Sequence, residues 1–243
     1  MKGKPLKEKW AFFVDYYLLP TIIILVVLIS FISWRVAVAN QKDIVLAGIA
    51  LNSTNMEDST DFLQDFYQHA QIDADEETVN IFTNINLNTT QPHLFSINFQ
   101  LLYAQVGTQD VDFLTGAYDI FEIFAYNRSH MMMDLRNVLP EETLEKLADR
   151  LFYVDGDILA QPEDLSGLSS KYDPTADFTP DYPDPRKPEE MIDPIPIGID
   201  ILDCEAFHNL YHPVDESLYL GVVTNNPNPE MLMTFLEYLL PEI

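Results

Sequence analysis

The sequence of 243 residues contains a single cysteine, Cys204, and few basic residues. One thiol excludes a disulfide framework and any cysteine-rich zinc or iron–sulfur site. Thirteen Lys and Arg residues stand against 39 Asp and Glu residues, which gives a formal charge of −26. A surface this acidic repels phosphate backbones, so nucleic acid is excluded as a partner.

The sequence also lacks the short motifs that mark common active sites. It has no G-x-G-x-x-G, no G-K-[ST] and no G-x-S-x-G, so a nucleotide site and a hydrolase elbow are unsupported. His208 and His212 have the one-turn spacing of metal ligands, with Asp203 and Glu205 nearby, but Pro213 indicates that a helix ends there. We predict a non-enzymatic protein with no cofactor and no metal.

The first forty residues predict a membrane anchor. Four lysines lie between Met1 and Lys9, and the chain is almost wholly apolar from Tyr16 to Trp34. An apolar helix of about twenty residues crosses the hydrocarbon of a bilayer. We predict a basic cytoplasmic segment at 1–15 and a transmembrane helix at 16–35, and the positive-inside rule places the rest of the chain outside the cell.

A cleaved signal peptide is the alternative. Ala37-Val38-Ala39 has the small-x-small pattern of a cleavage site before Asn40. The apolar run is longer than that of a signal peptide, however, and Arg35 separates it from this site. The sequence therefore favours a single-pass protein of the cell membrane, with an uncleaved anchor and an extracytoplasmic C-terminal domain.

Short apolar runs alternate with amphipathic stretches from residue 43 to residue 243. This alternation is typical of β-α-β units, so we predict one α/β domain with a mainly parallel sheet. Pro196 makes the run from Ile195 to Asp200 a candidate for an edge strand. Six strands are predicted, at 43–51, 78–84, 110–116, 151–154, 195–200 and 217–224.

Residues 155–194 differ in composition from the rest of the domain. They are rich in proline, and from Asp155 to Asp193 they carry eleven acidic and three basic residues. We predict an irregular acidic excursion here. Residues 41–243 together hold 37 acidic and eight basic residues, a formal charge of −29, which attracts cations or basic partners and opposes contact with anionic surfaces.

Three phrases of the domain resemble a known family. They are the strand Asp110–Gly116 with its following helix, Ile197-Gly198-Ile199-Asp200, and the strand, turn and helix from Tyr219 to Leu239. With them, the chain resembles membrane-anchored proteins of Gram-positive, clostridia-like bacteria that are similar to the solute-binding proteins of ABC importers, of the type II periplasmic-binding fold. The resemblance implies a membrane-protein partner such as a transporter. Two lobes of comparable size are usual in that family, whereas the second lobe looks truncated here.

Polar residues follow the predicted strands at the edge where an open α/β sheet binds ligands. Hydroxyl and amide groups with one aromatic ring suit a small polar ligand, but the same residue types also form turns and helix caps. The candidate ligand-binding residues are Asn52, Ser53, Thr83, Asn84, Thr115, Gly116, Tyr118 and Asp119.

Two hypotheses from different classes follow. In the first, the domain is a solute-binding-like module that binds a small polar ligand or docks to a membrane transporter complex. In the second, it is a structural or assembly subunit whose degenerate pocket is filled and whose acidic surface contacts partners. A strand edge that is closed between Thr115 and Tyr118, or covered by the acidic excursion, would favour the second.

Overall fold

The computed structural model describes most of the chain in separate stretches. The described residues are 5, 10, 14–39, 42–53, 60–83, 85–87, 92–108, 111–126, 131–160, 182–204, 207, 210–211, 217–224 and 226–241. By its internal contacts the chain divides into two units, Met1–Asp43 and Ile44–Ile243.

The first unit contains one long apolar helix, α1 (Leu18–Ala39). Its stretch Leu18–Val36 is nineteen residues long and has a mean hydropathy of 2.2, and none of its residues is buried in the protein. The helix is therefore long and apolar enough to be a membrane span or a signal sequence.

The second unit is an α/β domain built on one six-stranded sheet. The strands are β1 (Asp43–Ala50), β2 (Glu77–Phe82), β3 (Phe113–Ala117), β4 (Leu151–Asp155), β5 (Pro194–Asp200) and β6 (Leu218–Val222), in the spatial order β2-β1-β3-β6-β5-β4. The helices are α2 (Thr60–His69), α3 (Pro92–Gly107), α4 (Tyr118–Ala125), α5 (Glu141–Lys146), α6 (Gly156–Ala160) and α7 (Pro229–Leu239).

The sheet is mixed, so the prediction of a mainly parallel sheet is wrong. β1 and β3 are parallel, with Ala50 opposite Thr115, but β3–β6, β6–β5 and β5–β4 are all antiparallel. β4, β5 and β6 follow one another in the sequence and are also adjacent in the sheet. The chain reverses its direction between each of these strands and the next. A strand buried on both faces has the same apolar composition beside either kind of neighbour, so periodicity cannot reveal this direction.

The expected edge position of β5 is also wrong. β5 lies between β6 and β4, and β4 is the edge strand on that side of the sheet. Proline is tolerated there because Pro194 begins the strand and Pro196 pairs with Tyr153 at a shift in register. A missing backbone N–H costs least at such a start or irregularity.

Helices cover both faces of the sheet and bury two apolar clusters. On one face, Phe113 stacks on Phe235 of α7 with ring centroids 4.9 Å apart, and Phe66 of α2 lies at 5.0 Å from the same ring. On the other face, α3 and α4 meet through Phe99 and Phe124 at 5.6 Å. Successive residues of β3 alternate between the two clusters, as the pleat of a strand requires.

Candidate functional site

The polar edge begins where β1 ends, at Asn52. This residue adopts a left-handed conformation, with φ of 54°, which asparagine tolerates better than most residues. Its side-chain oxygen accepts a hydrogen bond from the Leu87 N–H at 2.6 Å, its amide donates to the Leu87 carbonyl at 3.2 Å, and its backbone N–H donates to the Ile85 carbonyl. Asn52 therefore holds the segment after β2 against the end of β1.

The end of β2 lies beside the end of β1. The Ser53 hydroxyl donates to the carbonyl of Thr83 at 3.2 Å. The structure thus brings Asn52, Ser53 and Thr83 to one edge, where Asn52 and Ser53 hydrogen-bond to backbone groups of the chain itself. Asn84 lies outside the described residues.

Thr115 faces away from this edge cluster. It is completely buried, and its hydroxyl lies 2.7 Å from the Tyr211 hydroxyl, which also donates to the Thr115 carbonyl at 2.9 Å. Burial raises the pKa of Tyr211, so this phenol stays protonated. Gly116 points to the opposite face, where a Cβ atom would lie 3.6 Å from Leu51 and Ile120.

Tyr118 and Asp119 begin α4 at the end of β3. The Tyr118 hydroxyl donates to Oε1 of Glu122 at 2.8 Å, and burial together with this carboxylate raises the pKa of Tyr118. Its ring packs 6.0 Å from Phe152 and 6.4 Å from Tyr219. Asp119 is exposed in the first turn of α4, a position that the helix dipole favours.

A group that the sequence did not predict lies at the same end of the sheet. Residues 182–193, here called the return segment, lead from the acidic excursion back into β5. Arg186 of this segment donates through Nε to the Tyr219 hydroxyl at 3.0 Å and through Nη2 to Asp200 at 2.5 Å. Tyr219 is opposite Gly116 in the β3–β6 pair and opposite Asp200 in the β5–β6 pair, so Arg186 binds at the end of β3. The only sequence signal for this contact is a basic pair, Arg186-Lys187, within an acidic stretch.

Two further contacts hold the return segment against the domain. The rings of Tyr182 and Tyr126 stack at 3.7 Å with an interplanar angle of 4°, and the Pro185 carbonyl accepts a hydrogen bond from the Tyr153 N–H of β4 at 2.9 Å. The start of the return segment is therefore packed on β4 and on the residue that follows α4. Residues 161–181 of the excursion lie outside the described residues.

Asp155 holds the other end of this segment. Its buried carboxylate accepts hydrogen bonds from the backbone N–H groups of Asp157, Ile192 and Asp193 at 2.9–3.1 Å. Burial raises the pKa of Asp155, but the three hydrogen bonds outweigh it and leave this pKa below its usual value of 3.8. The sequence predicts for this acid only a place at the start of the irregular acidic excursion.

A second buried carboxylate, Asp112, ties three parts of the fold together. It accepts hydrogen bonds from the Ala47 N–H of β1 and from both the backbone N–H and the side-chain amide of Asn228, at 2.8–3.2 Å. Burial raises the pKa of Asp112, and the hydrogen bonds only partly oppose this effect. Asn228 precedes α7, so Asp112 positions the start of that helix.

Metal ligands were considered at Asp203, Glu205, His208 and His212. Asp203 forms an ion pair with Arg150 at 3.0 Å, and the other three residues lie outside the described part of the chain. Within the described residues, no three His, Cys, Asp or Glu side chains are grouped as a metal would need.

Comparison with known proteins adds no relative. A scan against protein-family models and searches of curated proteins and of solved structures found no match to this chain. The resemblance to type II solute-binding proteins therefore stays a prediction, and function is inferred from the domain's own geometry.

Proposed function

We propose that this chain is a non-enzymatic protein, anchored in the cell membrane by α1, whose extracytoplasmic α/β domain docks onto a partner protein through an acidic surface. Among the two hypotheses from the sequence, this is the structural or assembly role. The observation that carries it is the closed state of the edge at which a small polar ligand was expected.

The β1 side of this edge is closed by hydrogen bonds within the chain. Asn52 hydrogen-bonds to backbone groups of Ile85 and Leu87, and the Ser53 hydroxyl donates to the Thr83 carbonyl. A ligand that used these groups would have to replace bonds that already satisfy them, and such an exchange yields little net free energy. These side chains therefore serve the fold.

The β3 side is closed by aromatic rings and by the return segment. Tyr118 already donates its hydroxyl to Glu122, and Arg186 occupies the hydroxyl of Tyr219 next to it. Thr115 was also expected here, but its side chain is buried beside Tyr211 on the opposite face of the sheet from Tyr118. A solute trap needs groups that converge on a cavity, whereas the hydroxyls of Tyr118 and Thr115 hydrogen-bond to Glu122 and Tyr211 of the domain itself.

An acidic surface lies at the β4 end of the sheet. Glu141, Glu142, Glu145 and Asp149 are exposed immediately before β4, and Glu189 and Glu190 are exposed in the return segment beside it. Lys146 and Lys187 neutralise only part of this charge, through ion pairs at 3.3–3.7 Å with Glu142, Asp184 and Glu190. A basic surface of a membrane-protein partner fits this end of the domain, and such attraction weakens as salt screens it.

Site-specific photo-crosslinking of the full chain in its native membrane tests the proposal. A photoreactive residue at Glu145 probes the β4 end, and one at Asp75, an exposed acid just before β2, is the matched control at the opposite end of the sheet. We expect position 145 to give one discrete crosslinked protein. The yield of this crosslink should fall between about 0.1 and 0.5 M salt, because the Debye length becomes shorter and the attraction is screened.

The control decides how the result is interpreted. Equal crosslinking from positions 75 and 145, or none from position 145, would contradict a docking surface at the β4 end. A crosslink whose yield does not depend on salt would contradict recognition by charge.

A further inference from the structure

Residues 182–187, the first half of the return segment, lie on the outside of the domain. Only Pro185 among them is buried, and none is a buried member of the two apolar clusters. Beneath them is the segment site, which consists of the Tyr126 ring, the Tyr153 N–H and the side chains of Tyr219 and Asp200. The segment therefore covers the domain without filling its core.

Two contacts of this segment are of kinds that bind peptides to proteins. The Tyr182 ring stacks on Tyr126 at 3.7 Å. The Pro185 carbonyl accepts a hydrogen bond from the Tyr153 N–H of the edge strand β4 at 2.9 Å. Ring stacking and main-chain pairing with an edge strand are common in peptide recognition. Pro183 and Pro185 restrict the backbone before binding, which lowers the entropic cost of ordering such a segment.

Arg186 makes the third contact, at a place that suits a guanidinium group. Its Nε donates to the Tyr219 hydroxyl at 3.0 Å, its Nη2 donates to Asp200, and its Cζ atom lies 5.9 Å from the centre of the Tyr219 ring. A carboxylate beside an aromatic face is a favourable environment for arginine. The other oxygen of Asp200 accepts a hydrogen bond from the Leu202 N–H at 3.0 Å, so this acid is held in place without Arg186. Arg186 leaves 51% of its side chain exposed, which gives a competing arginine access to the site.

The segment leaves one polar atom of the site unsatisfied. Tyr126 is only 8% exposed, and its hydroxyl forms no hydrogen bond within the described part of the chain. Burial raises the pKa of Tyr126 to about 12, so this hydroxyl stays protonated and can donate. An unpaired buried donor costs about 1–3 kcal/mol. A partner segment with an acceptor at this point would therefore gain a hydrogen bond that residues 182–187 do not make.

The charge of the segment indicates the charge of the ligand. Arg186 and Lys187 are two of only three basic residues between Asp155 and Asp193, where eleven residues are acidic. The chain thus places its rare positive charge at this site. We propose that the segment site binds a proline-containing segment of a partner protein that presents an aromatic ring and, four residues later, an arginine. Residues 182–187 occupy the site until such a segment replaces them.

This inference rests on the proposed function, because it takes the same partner protein and adds what that protein presents. The connection to β5 gives residues 182–187 an effective concentration on the order of 1 mM, which excludes free peptides from the site of the parent chain. A partner anchored in the same membrane reaches a comparable local concentration, and it also contacts the acidic surface at the β4 end.

Peptide binding to the full chain in detergent micelles tests the site directly. The probe is a fluorescent peptide with the sequence of residues 182–187, and its anisotropy measures binding. Tyr182→Ala together with Arg186→Ala empties the site, so we expect this emptied chain to bind the probe at least about tenfold more tightly than the parent, whose site is occupied. Lys187→Ala is the control, because its ion pairs are with Asp184 and Glu190, and it should bind the probe as the parent does.

Equal affinity of the parent and the emptied chain would overturn the inference. So would a gain in affinity that persists when Asp200→Asn is added to the emptied chain, or when alanine replaces the arginine of the probe. The single change Arg186→Ala leaves the stacked tyrosines in place and should give a smaller gain of the same sign. This variant decides the question if the double variant does not fold.

Crosslinking from position 145 separates this inference from the proposed function. In native membranes, Tyr182→Ala with Arg186→Ala should raise the yield of the crosslinked partner at least about threefold, because the segment no longer competes for the site. A crosslink whose yield stays the same or falls would overturn the inference and leave the docking surface intact. No crosslink from any chain, together with tight binding of the probe to the emptied chain, would contradict the proposed function and leave the segment site with its class of ligand.

Discussion

The pKa values of two buried carboxylates in this domain are shifted in opposite directions. Asp155 receives three backbone N–H groups that lower its pKa in spite of burial, whereas burial dominates at Asp112 and raises its pKa. The stability that each contributes therefore changes with pH in opposite directions.

Asp155→Asn is expected to destabilise the protein by about 1–3 kcal/mol at pH 7, because a neutral amide accepts less strongly than a carboxylate and because its NH2 group would face either the Ile192 N–H or the N–H groups of Asp157 and Asp193. The folded-state pKa is lowered, so the stabilisation is present above 3.8 and is lost as pH falls through the folded pKa. Chemical denaturation at several pH values measures this. Glu145→Gln, the same change at an exposed acid, should stay within about 0.5 kcal/mol of the parent at pH 7.

Asp112→Asn should show the reverse dependence on pH. The folded-state pKa is raised, so the stability linked to this group is full below 3.8 and declines as pH rises through the folded pKa. The cost of the substitution is therefore expected to be larger at pH 4 than at pH 7. Parallel pH profiles for Asp112→Asn and Asp155→Asn would contradict these assignments.

At the scale of the elements, Gly48 of β1 lies directly against the ring of Phe113. A Cβ atom there would lie 2.1 Å from Cζ of Phe113, whose ring is held against Phe235. Gly48→Ala should destabilise the domain by about 1–3 kcal/mol, since the ring cannot move without disturbing the cluster. Gly107→Ala, at the end of α3 with no atom within 4 Å of the added methyl group, is the control and should be neutral or stabilising in the same thermal unfolding measurement.

The return segment depends on a different kind of contact. Removal of the Arg186 side chain takes a donor from the buried Tyr219 hydroxyl and a partner from Asp200. Arg186→Ala should therefore speed amide hydrogen exchange in residues 182–187 before the sheet itself opens. Lys187→Ala removes only exposed ion pairs and should leave that exchange unchanged. Equal protection in both variants would mean that the contacts of Tyr182, Pro185 and Asp155 hold the segment without Arg186.

At the scale of the whole molecule, the sequence predicted the elements better than their arrangement. All six strands were placed within a few residues, because each is a short apolar run bounded by polar residues. The antiparallel pairing of β4, β5 and β6 and the inner position of β5 were not predicted, because neither feature changes the pattern of apolar residues. Arg186 was missed because its partners, Tyr219 and Asp200, are brought to it only by the fold.

The placement of some candidate residues was predicted from the sequence, and their ligand-binding role stays a prediction. Asn52, Ser53 and Thr83 do meet at one edge, because β1 and β2 end side by side. Their hydrogen bonds to the backbone could not be predicted, because the same residue types serve turns and ligands equally. Thr115 was expected at this edge, but its side chain lies beside Tyr211. Successive side chains of a strand point to opposite faces, so a position near a strand end does not decide which face a side chain takes.

The central claim is that the domain's expected ligand edge is closed by its own side chains. A thermal-shift screen of the full chain in detergent micelles, against sugars, amino acids, short peptides and divalent cations, tests it most directly. A ligand at 100 times its dissociation constant would stabilise the fold by roughly 2.7 kcal/mol. We predict no shift with any of these classes. A shift with one class that is abolished by Ser53→Ala and Tyr118→Phe would contradict the claim and restore the solute-binding role.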